Sequence, residues 1–400
     1  MPTRYLILRA NKLAHRSFDF FSPMGWDLAT PGPTDLELHT LDGQEADAVA
    51  LRADPQNVAV MNAAASLSLI YPKSEAPGNI AALNQVGAAK MPDGLMAVGA
   101  HTSPFSGQGV TVAILDTGID DSHPAFQGKT IVKKDFTGEG TSDQDVTDNV
   151  GHGTHCAATI CAASVGGIRV GVAPGVVKLC VGKVLGRYGG TIEMLLDALW
   201  WAVWEQKASV VSMSLGYDLP GNSKRLIQSG EDAARVADVM LQEQADISTG
   251  ITTLKAFLES RSQNVVFVAA AGNESDRAGG HVQSASLPAK DLFSVGAVGL
   301  AGSKWDIAPF SNSRVQVVAP GVNVLSAARG GDWLVLSGTS MAAPHVAGVA
   351  ALWTEKLRNE GRLRVPEAVR SAIIAHALTQ PLLTTDVDAV GAGLVQAPQN

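Results

Sequence analysis

Cysteine is nearly absent from this chain of 400 residues. The three that occur, Cys156, Cys161 and Cys180, are odd in number and confined to one stretch, which excludes a disulfide framework and points to free thiols. Positive charge is also short. Thirty Lys and Arg against 38 Asp and Glu leave a net charge of −8, which argues against a nucleic-acid partner. Long apolar runs are missing as well: segments such as Leu199–Trp204 fall far below the roughly 18 residues that cross a bilayer, so no membrane anchor is expected. The apolar run Tyr5–Leu8 is stopped by Arg9, short of an export-signal core, so a cytoplasmic location is expected. The alternative is a secreted chain that has lost its leader.

What remains is 46% hydrophobic, 17% charged and rich in glycine, with 41 of them. That composition suits helices packed closely on a sheet, and the length suits one large domain with something smaller attached. Val110–Leu115 is an apolar β-type run that delivers Asp116 at its carboxyl end, the edge where α/β folds bind ligands. Similar runs recur at Lys178–Val184, Ala208–Ser214, Asn264–Ala270, Leu292–Val298 and Val315–Ala319. Helical patterns at Thr191–Trp204 and Ile251–Ser260 lie between them, which predicts an α/β fold with a mostly parallel sheet between helices.

The first 75 residues read as a separate small α+β unit, with strands at Arg4–Leu8 and Leu36–Leu41 and a helix at Glu45–Ala53, and residues 76–400 as the main domain. Pro72–Gly78 reads as a linker. Residues 217–248 form an unusually long interval between core elements; an amphipathic helix at Glu231–Gln244 marks it as a surface insertion.

Three motifs carry the chemistry: Asp116 in Ile-Leu-Asp-Thr-Gly, His152 in Gly-His-Gly-Thr-His, and Ser340 in Gly-Thr-Ser-Met-Ala-Ala-Pro-His. A serine hydroxyl is a poor nucleophile near neutral pH; it needs a histidine to take its proton and a carboxylate to orient and stabilise that histidine. His152 and Ser340 each stand at a predicted helix start, and Pro344 is expected in the first turn of the serine helix, where its missing N–H costs nothing. His155 is expected to hydrogen-bond within the core, while His123 precedes Pro124 in a turn and His345 sits inside the serine helix, none with a direct catalytic role.

Asp116-Thr117-Gly118, His152-Gly153-Thr154-His155 and Gly338-Thr339-Ser340-Met341-Ala342, in that chain order, resemble the three signatures of the subtilisin-like serine proteases. The resemblance covers roughly Ala81 to the end and implies the subtilase α/β sandwich. It implies an endopeptidase in which Ser340 is the nucleophile, His152 the general base and Asp116 its orienting carboxylate. Ala271-Gly272-Asn273-Glu274 resembles the family's oxyanion-hole segment, which makes Asn273 the donor to the tetrahedral intermediate. Ser214-Leu215-Gly216 and Gly189-Gly190 resemble the two strands that flank an extended substrate, and Glu274 and Ser286 fall near the pocket for the residue before the cut. There Glu274 would favour a basic side chain, or else be an ordinary solvated glutamate. Cys156 resembles the cysteine of the proteinase K-like branch; a small buried hydrophobe is the plainer alternative.

The chain also departs from the pattern. Ser164-Val165-Gly166-Gly167 and Ala125 stand where the family often binds calcium and supply few oxygen ligands, so no metal and no cofactor is expected there. The acidic loop Glu139–Asp148 reads as a solvated surface, a bound cation being the alternative. Leu51–Val60 resembles the end of a subtilase propeptide, which implies an N-terminal intramolecular inhibitor and self-processing between Ile70 and Ile80. Polypeptides are the expected substrates. A peptide ligase or macrocyclase on the same scaffold, or a silent binding protein, are the rival readings.

Overall fold

The structure is a computed structural model that describes residues 3–10, 36–43, 45–54, 56–62, 65–77, 92–261, 264–287, 291–363 and 367–400. Residues 78–91, where the expected processing interval ends and the resemblance begins, lie outside the described residues.

The N-terminal unit consists of β1 (Thr3–Ala10), β2 (Leu36–Gly43), α1 (Glu45–Ala53) and β3 (Asn57–Asn62), with the strands in the antiparallel order β2-β1-β3. β4 (Ser66–Leu69) and β5 (Ser74–Pro77) follow, then the short helix α2 (Asp93–Ala97). The stretch expected as a linker therefore contains a strand. Its extended, Pro-bounded sequence finds backbone partners on the main domain, as described below.

The main sheet has eight strands. β6 (Thr111–Asp116), β7 (Thr130–Asp135) and β8 (Lys178–Lys183) form one side; β10 (Val210–Met213), β12 (Val266–Ala270), β13 (Leu292–Ala301), β14 (Lys304–Ile307) and β15 (Val317–Pro320) form the other. The order is β14-β13-β12-β10-β6-β8-β7, with β15 also on β13, and only β14 runs antiparallel. Val112–Leu115 and Val266–Ala270 are buried throughout, which is why these strands read as continuous apolar runs: helices cover both faces.

Two helices lie on one face, α3 (His152–Cys161) and α7 (Thr339–Asn359). Their closeness depends on small residues; a Cβ at Gly348 would come within 2.5 Å of Val172 and 3.4 Å of the Ile160 carbonyl. The other face carries α4 (Ile192–Trp200), continued by a π-helical turn, and α6 (Ala233–Ser260), preceded by α5 (Leu219–Gln228). The two helical segments expected at Glu231–Gln244 and Ile251–Ser260 are one helix of 28 residues, because Gly250 costs it only about 1 kcal/mol. α8 (Ala368–His376) and α9 (Val387–Val390) close the chain.

The N-terminal sheet sits on α6. Arg52 pairs with Asp246 at 2.6 Å, Asn62 donates to Glu243 at 3.0 Å, and Gly250 leaves room for Met61 and Leu8. Leu6, Leu8 and Met61 thereby share one buried apolar cluster with Ile251 and Leu254. No helix among the described residues is long and apolar enough to cross a membrane.

Candidate active site

β6 ends in Asp116 and α3 begins at His152, and the two are joined by a junction only glycine permits. A Cβ on Gly153 would lie 2.2 Å from the Gly118 carbonyl oxygen. Thr117 and Asp148 lock this junction: Thr117 Oγ1 donates to Asp148 at 2.8 Å and accepts from the Gly153 N–H at 3.0 Å. Asp148 also accepts from the N–H groups of Val150, Gly151 and Thr154 and from the Thr154 hydroxyl. It is a buried carboxylate at the N-terminus of α3, where negative charge is favoured, and not part of a solvated loop. The legible signal was an Asp just upstream of a helix start.

His152 Nδ1 stands 2.7 Å from Asp116 Oδ1, both residues buried. The carboxylate can only accept, so Nδ1 carries the proton and Nε2 is left with its lone pair. Burial alone would hold this imidazole neutral, but the charge and hydrogen bond of Asp116, joined by the Cys156 sulfur, together outweigh it and raise its pKa well above the usual value. His155, one turn along, is held neutral: burial and the nearby His152 bring its pKa down to about 3.

Ser340 is the second residue of α7 and is buried. Pro344 falls in the second turn rather than the first, so the Ser340 carbonyl has no helical N–H to accept from. Two side chains replace it. Ser214 Oγ donates at 3.1 Å and Cys156 Sγ at 3.2 Å, while the same sulfur lies 3.8 Å from His152 Nδ1. Cys156 thus bridges the serine and histidine helices, and its burial raises the thiol pKa. The Asp116, His152 and Cys156 ligand atoms lie within 4.8 Å of one another, the only such group found among the described residues.

Asn273 follows β12. Its Oδ1 accepts from both the N–H and the hydroxyl of Thr339, each at 2.9 Å, which fixes the amide so that Nδ2 points outward. Sequence reasoning missed this role of Thr339.

The cleft is occupied by the chain itself. β4 lies antiparallel between β9 (Gly190–Thr191) and β11 (Leu215–Tyr217), with Gly216 opposite Ser68 and Gly190 opposite Leu67. Gly189, at φ +86°, allows the approach: a Cβ there would sit 2.5 Å from the Leu67 carbonyl oxygen. Beyond β4 the Ile70 N–H donates to the Ser214 carbonyl at 3.4 Å and the Ser340 hydroxyl to the Ile70 carbonyl at 2.8 Å. Asn273 Nδ2 donates to the next carbonyl, that of Tyr71, at 2.9 Å. Lys73 N–H then reaches the Ser337 carbonyl at 2.7 Å, and β5 continues along β17 (Trp333–Ser337).

Next to Ile70 lies a cavity of about 730 Å³ whose lining includes Gly216, Leu241, Glu274, Ala285 and Ser286. Glu274 is exposed and accepts from Asn312 at 2.7 Å; Ser286 donates to the Ala271 carbonyl at 3.3 Å and stands so close to Gly216 that a side chain there would collide with it.

The model of the subtilase family matches residues 107–393. The chain belongs to the subtilase family. It is 34% identical over 273 residues to the major intracellular serine protease of Bacillus subtilis, covering 66% of this chain and 75% of that one. It is 34% identical over 250 residues to an intracellular serine protease of Paenibacillus polymyxa (62% and 67%) and 33% identical over 260 residues to subtilisin E of Bacillus subtilis (64% and 58%). This subtilase is a subtilisin-like serine protease, with Asp116 and His152 in the geometry that a catalytic triad requires.

Proposed function

We propose that the chain is an endopeptidase in which Ser340 attacks the substrate carbonyl, His152 serves as base and then acid, Asp116 orients it and Asn273 stabilises the oxyanion. The observation that carries the reading is that Ser340 Oγ and Asn273 Nδ2 both hydrogen-bond to carbonyl oxygens of an extended chain in the cleft, at 2.8 and 2.9 Å. In the reaction His152 Nε2 takes the Ser340 proton as Oγ bonds to the carbonyl carbon. The oxygen gains the negative charge, and Asn273 Nδ2 and the N-terminus of the serine helix are donors for it. Collapse expels the amine, which leaves with the proton held by His152. Water, deprotonated by the same Nε2, then releases the acyl group. A substrate would lie between Gly189-Gly190 and Ser214-Leu215-Gly216, held by main-chain pairing that tolerates many sequences. The residue before the cut would enter the cavity by Glu274 and Ser286.

We further propose that residues 1–75 act as an intramolecular inhibitor of the domain 76–400, with the strap that blocks the cleft continuing through Pro77, and that the surface insertion at 217–248 helps to seat the N-terminal sheet. The strap is a poor substrate because Ser340 and Asn273 address two successive carbonyls where the chemistry needs one. A cytoplasmic location fits the intracellular relatives and the three free cysteines.

Labelling by a fluorophosphonate that is lost in Ser340→Ala tests the nucleophile, and mass spectrometry of the products separates hydrolysis from ligation. A chain that takes no label once the strap is displaced would remove the reading.

A further inference from the structure

The strap occupies the cleft on both sides of Ser340, and the second side is as well built as the first. β5 pairs antiparallel with β17 over four residues, Ser74 opposite Ser337, Glu75 opposite Leu336, Ala76 opposite Val335 and Pro77 opposite Leu334. β17 is one arm of a hairpin whose other arm is β16 (Val324–Ala327), so among the described residues it is a free sheet edge without the strap. An edge of this kind presents unpaired N–H and C=O groups to any extended chain laid beside it.

This edge is braced from beneath. His155 Nε2, on the helix that begins with His152, donates to the carbonyls of Val324 at 3.1 Å and Leu334 at 3.2 Å, one on each arm. Ser326 Oγ returns a bond to the His155 carbonyl at 2.9 Å. The hairpin turn is tied down as well, by Asp120 to the Gly330 N–H at 2.7 Å and by Arg329 to the Asn149 carbonyl at 2.8 Å. His123 Nε2 donates to the Asp332 carbonyl at 2.8 Å, and its ring packs edge-on against Trp333 at 5.1 Å. The strand is therefore held in place by the same elements that carry His152. The side chains of Ser74, Glu75 and Ala76 are exposed, so the pairing is made by backbone and is indifferent to sequence.

We infer that β17 is a binding edge for the part of a polypeptide substrate beyond the cut bond. It would take an extended segment of at least six residues on that side. A substrate whose reacting carbonyl stood where Tyr71 presents its own would lay its third to sixth following residues where Ser74–Pro77 now lie. The enzyme then prefers unfolded polypeptide that continues well past the cleavage point over short peptides or chain ends. This inference rests on the endopeptidase reading.

The test is a series of quenched fluorescent peptides, identical before the cut and carrying one to six residues after it, with a chromogenic amide that has no residue beyond the reporter as the control. The full-length chain is used throughout, and rates are compared as ratios, in which the common cost of displacing the strap cancels. kcat/KM should rise at least about tenfold between two and six residues, as expected for several added backbone hydrogen bonds of modest net strength. N-methylation of single amides from the third to the sixth position should cancel the gain at alternate positions, the period of a strand. A rate flat beyond the second residue, or N-methyl effects without alternation, with the control still hydrolysed, overturns the inference and spares the protease reading. Failure to hydrolyse any member of the series, control included, removes both.

Discussion

The side-chain amide of Asn273 donates to the carbonyl of Tyr71 at 2.9 Å. Its oxygen is pinned by Thr339, so the amide cannot turn away and is a preformed donor, which the proposed mechanism uses for the oxyanion. Asn273→Leu should lower kcat by about 10²–10³, the range known for this donor in subtilisin, with little change in KM. It also strips the Thr339 N–H and hydroxyl of their acceptor, a loss of about 1–3 kcal/mol in stability. Steady-state kinetics and thermal unfolding read the two effects separately; an unchanged kcat would exclude Asn273 from the oxyanion hole.

On the proposed reading as an inhibitor, the strap has one residue too many to be cut. Its two anchors, Ile70 N–H on Ser214 and Lys73 N–H on Ser337, are held independently, and between them two carbonyls share what one should receive. Deleting Pro72 should bring a single carbonyl against both Ser340 and Asn273 and turn the strap into a substrate. Intact-mass analysis should then show rapid cutting within a residue of Ile70, abolished when Ser340→Ala is added. A deletion variant that stays full length as long as its parent would count against the register argument.

Burial opposes the charged form of His152, and Asp116 together with Cys156 raises its pKa against that. The base must be neutral to work, so the acid limb of kcat/KM should lie above the ordinary histidine pKa of about 6.5, and activity should climb as pH rises through it. Asp116→Asn should move that limb to lower pH and reduce kcat by about 10⁴. The sign for stability is opposite. A pKa raised on folding contributes stability that is complete below the unfolded value of about 6.5 and is lost as pH rises through the folded one. Urea midpoints of the parent and Asp116→Asn, compared across that window, should converge toward alkaline pH.

Cys156 is a buried thiol between His152 and the Ser340 carbonyl. Organomercurials should inhibit, because a metal on Sγ is pushed against the imidazole and the serine helix. Iodoacetamide should react slowly at neutral pH, since burial keeps the sulfur protonated. Cys156→Ser should remain active and lose the mercurial response; inhibition unaltered by that substitution would place the reactive thiol elsewhere.

Local sequence was enough to determine the parallel sheet, the strand end that carries Asp116 and the helix starts at His152 and Ser340, because each depends on short-range pattern: apolar runs buried on both faces, and small residues at close helix contacts. It misjudged features whose meaning depends on distant partners. Asp148 looked like one more solvated acid until Thr117, Gly151 and Thr154 closed around it. Pro344 looked harmless until the Ser340 carbonyl it deprives was seen to be served by Ser214 and Cys156.

The sequence by itself determined the family, since the motifs around Asp116, His152 and Ser340 suffice to mark a subtilisin-like serine protease. Only the tertiary structure decided what stands in front of that serine. Residues 66–77 are extended because β9, β11 and β17 offer them backbone partners, and those partners lie more than a hundred residues away along the chain. Ser66–Leu69 alternates polar and apolar in step with its burial, but β5 pairs through its backbone and leaves no such trace, so the half of the strap beyond Ser340, within Pro72–Gly78, reads in sequence as a linker.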